Sequence, residues 1–193
     1  MTIDFDCSLR ASADALEITY SLRNLGPFEF GVFNRIRSVG PDGAPIFSAD
    51  TIYLEIDAGV LRAQKVALPV PRGLQMAARS PPHVSRLMPM GLLTEIVVIP
   101  TPVKEMQPYK RALFSGQAVA DVPGEFVSAI VSVGVFRVDA GCRLAAENPA
   151  HPTVLTAVDA GIAVARQQVL TKTIPLGSPI PARLYRAVPW GPE

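Results

Sequence analysis

Ile56-Asp57-Ala58-Gly59-Val60 joins two apolar-alternating runs, Thr51 to Ile56 and Val60 to Leu68, and reads as the turn of a β-hairpin. Asp hydrogen-bonds its own backbone in a turn, and Gly accepts the positive φ that closes one. The tripeptide recurs as Asp139-Ala140-Gly141, between Val138 and Cys142, and as Asp159-Ala160-Gly161, between Val158 and Ile162. Three such turns between strand-like runs predict an antiparallel all-β domain.

The pattern extends outward from these turns. Ile3, Phe5, Cys7 and Leu9 alternate with Asp4, Asp6, Ser8 and Arg10, the signature of a half-buried strand. Leu16, Ile18, Tyr20 and Leu22 repeat it against Glu17, Thr19, Ser21 and Arg23, and Phe28, Phe30 and Val32 resume it towards Val39. Gly40-Pro41-Asp42-Gly43 is a turn. Val84 to Leu87 reads as a short edge strand. Leu92 to Ile99 is apolar on both faces, which predicts a central strand. Residues 100 to 125, with Pro102, Pro108, Gly116, Pro123 and Gly124, form the least patterned region and read as a long loop. Phe126 to Val138 is the strongest β run, and Ile162 to Ile174 is expected to be the last strand.

No amphipathic helix exceeds two turns, and 19 prolines suit edge strands and loops better than helices. The expectation is an antiparallel β-sandwich of eight to nine strands over residues 1–174, with long Pro-rich loops. A Pro-rich C-terminal tail, 175–193, packs on that domain. The order of strands and turns resembles the immunoglobulin-like β-sandwich, at the level of fold only. No Cys-Trp-Cys constellation accompanies it, because Trp190 lies in the tail and Cys7 in the first strand.

Bulk properties exclude several function classes. The chain has 193 residues, with 18 Lys+Arg against 17 Asp+Glu, a net charge of +1. That balance lacks the basic footprint of a nucleic-acid partner or a polybasic membrane patch. The longest apolar run, Ala129 to Phe136, is broken by Ser132 and Gly134, too short to span a bilayer. The acidic, alternating start Met1 to Asp6 is unlike a secretory signal, so the expected location is cytoplasmic. Only 18% of residues are charged, which fits either a large two-sheet core or an apolar surface covered by a partner or a second copy.

Chemistry-bearing clusters are sparse. His83 and His151 both lie beside prolines and read as exposed loop residues. With Cys142 they could supply three metal ligands, but no Met follows Met106 to complete a copper site, and no cofactor is expected. Cys7 and Cys142 read as buried free thiols rather than a disulfide. Ser115, and Ser80 beside His83, are the candidate nucleophiles of a hydrolase, although no Gly-x-Ser-x-Gly elbow is present. The apolar residues in predicted loops carry more weight. Met88, Met90, Met106, Tyr109 and Trp190 are the flexible or anchoring types enriched at interfaces, and their alternative role is to cap the open ends of the core. The sequence therefore favours a non-enzymatic module that binds a protein partner or itself. A hydrolase-type enzyme built around His83 and Ser115 is the alternative.

Overall fold

The structure is a computed structural model that describes residues 2–39, 42–71, 83–110, 119–146 and 154–187. Among these residues the chain forms thirteen strands and one short helix. The strands are β1 (Ile3–Ala11), β2 (Ala15–Asn24), β3 (Phe30–Val39), β4 (Pro45–Ser48), β5 (Tyr53–Asp57), β6 (Val60–Lys65) and β7 (His83–Leu87). They continue as β8 (Leu92–Pro100), β9 (Val103–Lys104), β10 (Val119–Arg137), β11 (Leu144–Ala146), β12 (Leu155–Ala157) and β13 (Gln168–Ala187). The helix α1 spans Ala160–Ala165. The all-β class holds. No helix among the described residues is long and apolar enough to cross a membrane.

Two sheets enclose the main core. The smaller has three antiparallel strands in the order β1-β2-β8. Its inner face follows the period-two pattern: Leu16, Ile18, Tyr20 and Leu22 of β2 are buried, and Val97 and Ile99 of β8 join them. The larger sheet has ten strands, with the path β11-β12-β7-β3-β10-β13-β9 and β4, β5 and β6 attached beside it. Its inner face presents Leu61 and Ala63 of β6, Ala129, Val131, Val133 and Val135 of β10, and Ile180 and Ala182 of β13. A second cluster on the far side joins Phe33, Val84, Phe136, Cys142, Ala157 and Ala163. The larger sheet is mixed, because β10 pairs in parallel with β6 and β13 pairs in parallel with β9.

Several elements differ from the sequence expectation. The first Asp-Ala-Gly does close a two-residue hairpin: Asp57 pairs with Val60, and both Ala58 (φ 47°) and Gly59 (φ 76°) are left-handed, as a type I′ turn requires. The second is a tight turn in which Asp139 pairs with Cys142 and its carboxylate accepts the Gly141 amide at 2.9 Å. The third is not a hairpin. Asp159 is the N-cap of α1, accepting the Ile162 amide at 2.9 Å, and Ala163 on that helix seals the second cluster. The last strand accordingly does not run from Ile162 to Ile174 but from Gln168 to Ala187, paired with β10 throughout apart from a bulge near Phe126 to Ser128.

The strand count exceeds eight to nine because four short strands, β4, β9, β11 and β12, were not expected; the region read as a long loop contains β9, a bridge between Leu54 and Met106, and the start of β10. β7 is interior, lying between β12 and β3. β8 is the reverse case: among the described residues it pairs only with β2 and forms an edge of the smaller sheet.

Candidate interaction surface

Asn24, at the end of β2, organises one corner of the molecule. It is fully buried, and its side-chain amide donates to the carbonyls of Phe28 at 2.6 Å and Met88 at 2.9 Å. Its side-chain oxygen accepts the Gly26 amide at 3.0 Å, and its own backbone amide reaches the Gly91 carbonyl at 2.9 Å. One buried amide thus ties the Leu25–Phe28 turn to the Met88–Gly91 turn. Gly91 donates back to the Met88 carbonyl at 3.0 Å, closing the second turn. Met90 sits there at φ 57°, a left-handed conformation that L residues adopt only under constraint. The two turns are hydrogen-bonded together through backbone groups yet apolar on the outside: Leu25 is 54% exposed, Met88 52% and Met90 72%.

β8 leads directly away from this corner. Its outward residues Leu92, Ile96 and Val98 are all more than half exposed, although they are large and apolar. The adjoining outer positions of β2 are Arg23, Thr19 and Glu17, and beyond them on β1 stand Asp4, Ser8 and Arg10. The outer face of the sheet therefore changes from charged at β1 to apolar at β8. Along the outer face of β8 no Lys, no Pro and no other charged side chain interrupts Leu92 to Val98, and its one charge, Glu95, points inward.

The inner side of β8 is locked by a buried ionic cluster. The Glu95 carboxylate accepts from Lys65 Nζ at 2.9 Å, from Asn34 Nδ2 at 2.6 Å and from the Tyr20 hydroxyl. Lys65, fully buried, also donates to the Ala49 carbonyl and lies 5.4 Å from the centre of the Tyr20 ring. Asn34 accepts the Ser85 amide at 2.8 Å, so the cluster joins β2, β3, β6, β7 and β8. Burial pushes the Lys65 pKa down, opposed by the Glu95 charge. Burial, with the Glu95 charge beside it, pushes the Tyr20 hydroxyl up. Neither of two shallow clefts opens onto this cluster. One, of about 320 Å³, is lined by residues such as Thr101, Pro102 and Pro181. The other, of about 380 Å³, is lined by Phe30, Arg137, Asp139, Arg166 and Gln168. The arrangement is that of a strut between sheets, in which every charged atom has a partner.

The other residues singled out from sequence lie elsewhere. Met106 is 43% exposed and exchanges both backbone hydrogen bonds with Leu54 at 2.8 Å. Tyr109 is half-buried beside the Glu105–Lys110 ion pair. The structure thus brings Met88 and Met90 together with Leu25 and Leu92, and attaches Met106 and Tyr109 to the other sheet. Trp190, Ser80, Ser115 and His151 lie outside the described residues. His83 is not an exposed loop residue: it starts β7, is 3% exposed, and its ring lies 3.9 Å from that of Phe47. Cys7 and Cys142 are both free and buried, and burial raises the Cys7 thiol to about 11. Among the described residues no three His, Cys, Asp or Glu side chains are grouped to hold a metal ion.

Sequence reasoning missed Leu92, Ile96 and Val98 as surface residues. Their alternation with Leu93, Val97 and Ile99 was visible, but apolar residues on both faces ordinarily mean cover on both faces. Comparison with known protein families, curated proteins and solved structures gave no match to this chain.

Proposed function

We propose that this chain is a non-enzymatic protein-interaction module that docks a polypeptide along the β8 edge and the adjoining methionine turn. The scaffold reading is an immunoglobulin-like sandwich, supported by two β layers around one core. The observation that carries the functional reading is an edge strand whose outward side chains Leu92, Ile96 and Val98 are apolar and exposed. An unpaired strand edge offers main-chain donors and acceptors, and alternate side chains beside it supply selectivity. Exposed Met88 and Met90 add a deformable apolar contact at one end of that edge.

The test places a photo-crosslinking amino acid singly at Ile96, at Met90 and, as a control, at Val169, which is 50% exposed on β13. Irradiation of cells that produce the protein is expected to yield discrete polypeptide adducts from Ile96 and Met90. Adduct levels at both positions no higher than at Val169 would overturn the proposal.

A further inference from the structure

We infer that the occupant of the β8 edge is the β8 strand of a second copy, paired antiparallel about a two-fold axis through Ile96. This rests on the reading of that edge as a docking site and names its partner.

The register with β2 settles which backbone groups face outward. Asn24 pairs with Gly91, and its amide bonds the Gly91 carbonyl; Thr101 bonds the Asp14 carbonyl across the same ladder. Hydrogen-bonded and non-bonded pairs alternate along an antiparallel ladder. The odd-numbered residues of β8 therefore face β2. Leu92, Thr94, Ile96 and Val98 turn their amides and carbonyls to the open edge, where Pro100 adds a carbonyl but no amide. Among the described residues nothing pairs with that edge.

An edge that pairs with its own copy must match outward groups to outward groups, so even-numbered residues face even-numbered residues. A two-fold axis at Ile96 sets Ile96 against Ile96 of the second copy, Thr94 against Val98, and Leu92 against Pro100. The whole of β8, Leu92–Pro100, is then used. The missing Pro100 amide leaves only a Leu92 carbonyl without a donor in each half.

Side chains distinguish this register from its neighbours. On the outer face it joins two apolar strips into one. On the inner face it sets Glu95 beside Val97 of the copy. Sliding by two residues so that the axis passes through Glu95 would bring the two Glu95 carboxylates directly opposite each other, and like charges so placed are unfavourable. A further slide the same way, with the axis at Thr94, pairs Val98 with Met90, which lies in a left-handed turn and cannot extend the ladder. The opposite slide, with the axis at Val97, sets Thr94 against Pro100, which has no amide to give, and carries Leu92 past the end of the facing strand. The outer charges agree as well. Glu17 flanks Val98 and Arg23 flanks Leu92, so no like-charged side chains face each other across the joined strips. The product is a single continuous sheet that doubles the three-stranded one. Along the seam the outward apolar side chains of the two copies pack against one another.

Light scattering on the purified full chain at micromolar concentration is expected to give twice the monomer mass. Ile96→Lys is expected to give the monomer mass, whereas Val169→Lys leaves the dimer intact. Cysteine crosslinking reads the register, because hydrogen-bonded pairs place Cα atoms about 5.5 Å apart, within disulfide reach. Ile96→Cys alone should crosslink under mild oxidation, as should a mixture of Thr94→Cys with Val98→Cys, whereas Thr94→Cys alone should not. A monomeric wild-type chain overturns the inference, as does crosslinking of Thr94→Cys alone to the same extent as Ile96→Cys. Polypeptide adducts from a crosslinker at Ile96 in a chain that scatters as a monomer would retain the docking site and remove only the second copy.

Discussion

Lys65 and Glu95 meet where the two sheets face each other, with side chains 0% and 9% exposed. A buried charge deprived of its partner is far more costly than the pair itself is stabilising. Glu95→Gln is therefore expected to lower unfolding free energy by about 3–5 kcal/mol in denaturant titrations. The double variant Lys65→Met with Glu95→Leu should recover most of that loss, because apolar side chains of similar size fill the same space. Glu105 is a carboxylate of another kind. Burial alone would raise its pKa, but Lys110 and the amides of Ile56 and Tyr185 outweigh burial and hold it below the ordinary 4.5. Lys110 lies 2.6 Å and Arg186 3.0 Å from it. An unfolded Glu105 then binds a proton more readily than the folded one. Its contribution is fully present above about pH 4.5 and is lost as pH falls through the lower, folded value. Glu105→Gln is expected to cost about 2 kcal/mol at pH 7. The difference between wild type and variant should shrink on acidification through that range, as followed by thermal melts.

At the scale of elements, three copies of one tripeptide give three structures. Asp-Ala-Gly closes a hairpin at Asp57, makes a tight turn at Asp139 and caps a helix at Asp159. The local chemistry is the same in each, since a short acidic side chain accepts a nearby amide at Asp139 and Asp159 alike. What differs is the partner that packs on the following residues, with Ala163 of α1 completing the second cluster. The hairpin also holds a removable strain. Ala58 adopts a left-handed conformation at φ 47°, which costs an L residue about 1–2 kcal/mol. Ala58→Asn is expected to stabilise the fold by about 0.5–1 kcal/mol, because Asn tolerates that region. Gly59→Ala, at φ 76°, should destabilise it by about 1 kcal/mol. Both shifts are measurable as changes in denaturation midpoint at constant slope.

For the molecule as a whole, the paired ribbon of β10 and β13 is the central support. Residues beyond Ile174 continue that ribbon, with Phe126 opposite Ile180 and Gly124 opposite Ala182. Phe126, Ile180 and Ala182 belong to the main core. Truncation after Ile174 would expose Phe126 and leave the first half of β10 without its neighbour. The truncated chain is expected to lose its cooperative thermal transition by circular dichroism. Unchanged melting would mean that residues after Ile174 pack as a dispensable cover.

Alternation at every second position was enough to specify β1, β2 and their inward sets, because one face of each is buried and the other is not. The Asp57 hairpin was equally legible, because its requirements are local: an acidic turn former, then a residue that accepts positive φ. Met88 and Met90 stood out as apolar residues in a turn. The tertiary structure alone decided that β8 is an edge, since strand order depends on pairings between residues distant in sequence. It also decided that Lys65 and Glu95 meet, because their 30-residue separation carries no local signal. Sequence determines which side of a strand prefers cover, whereas only the assembled sheets determine whether cover is there.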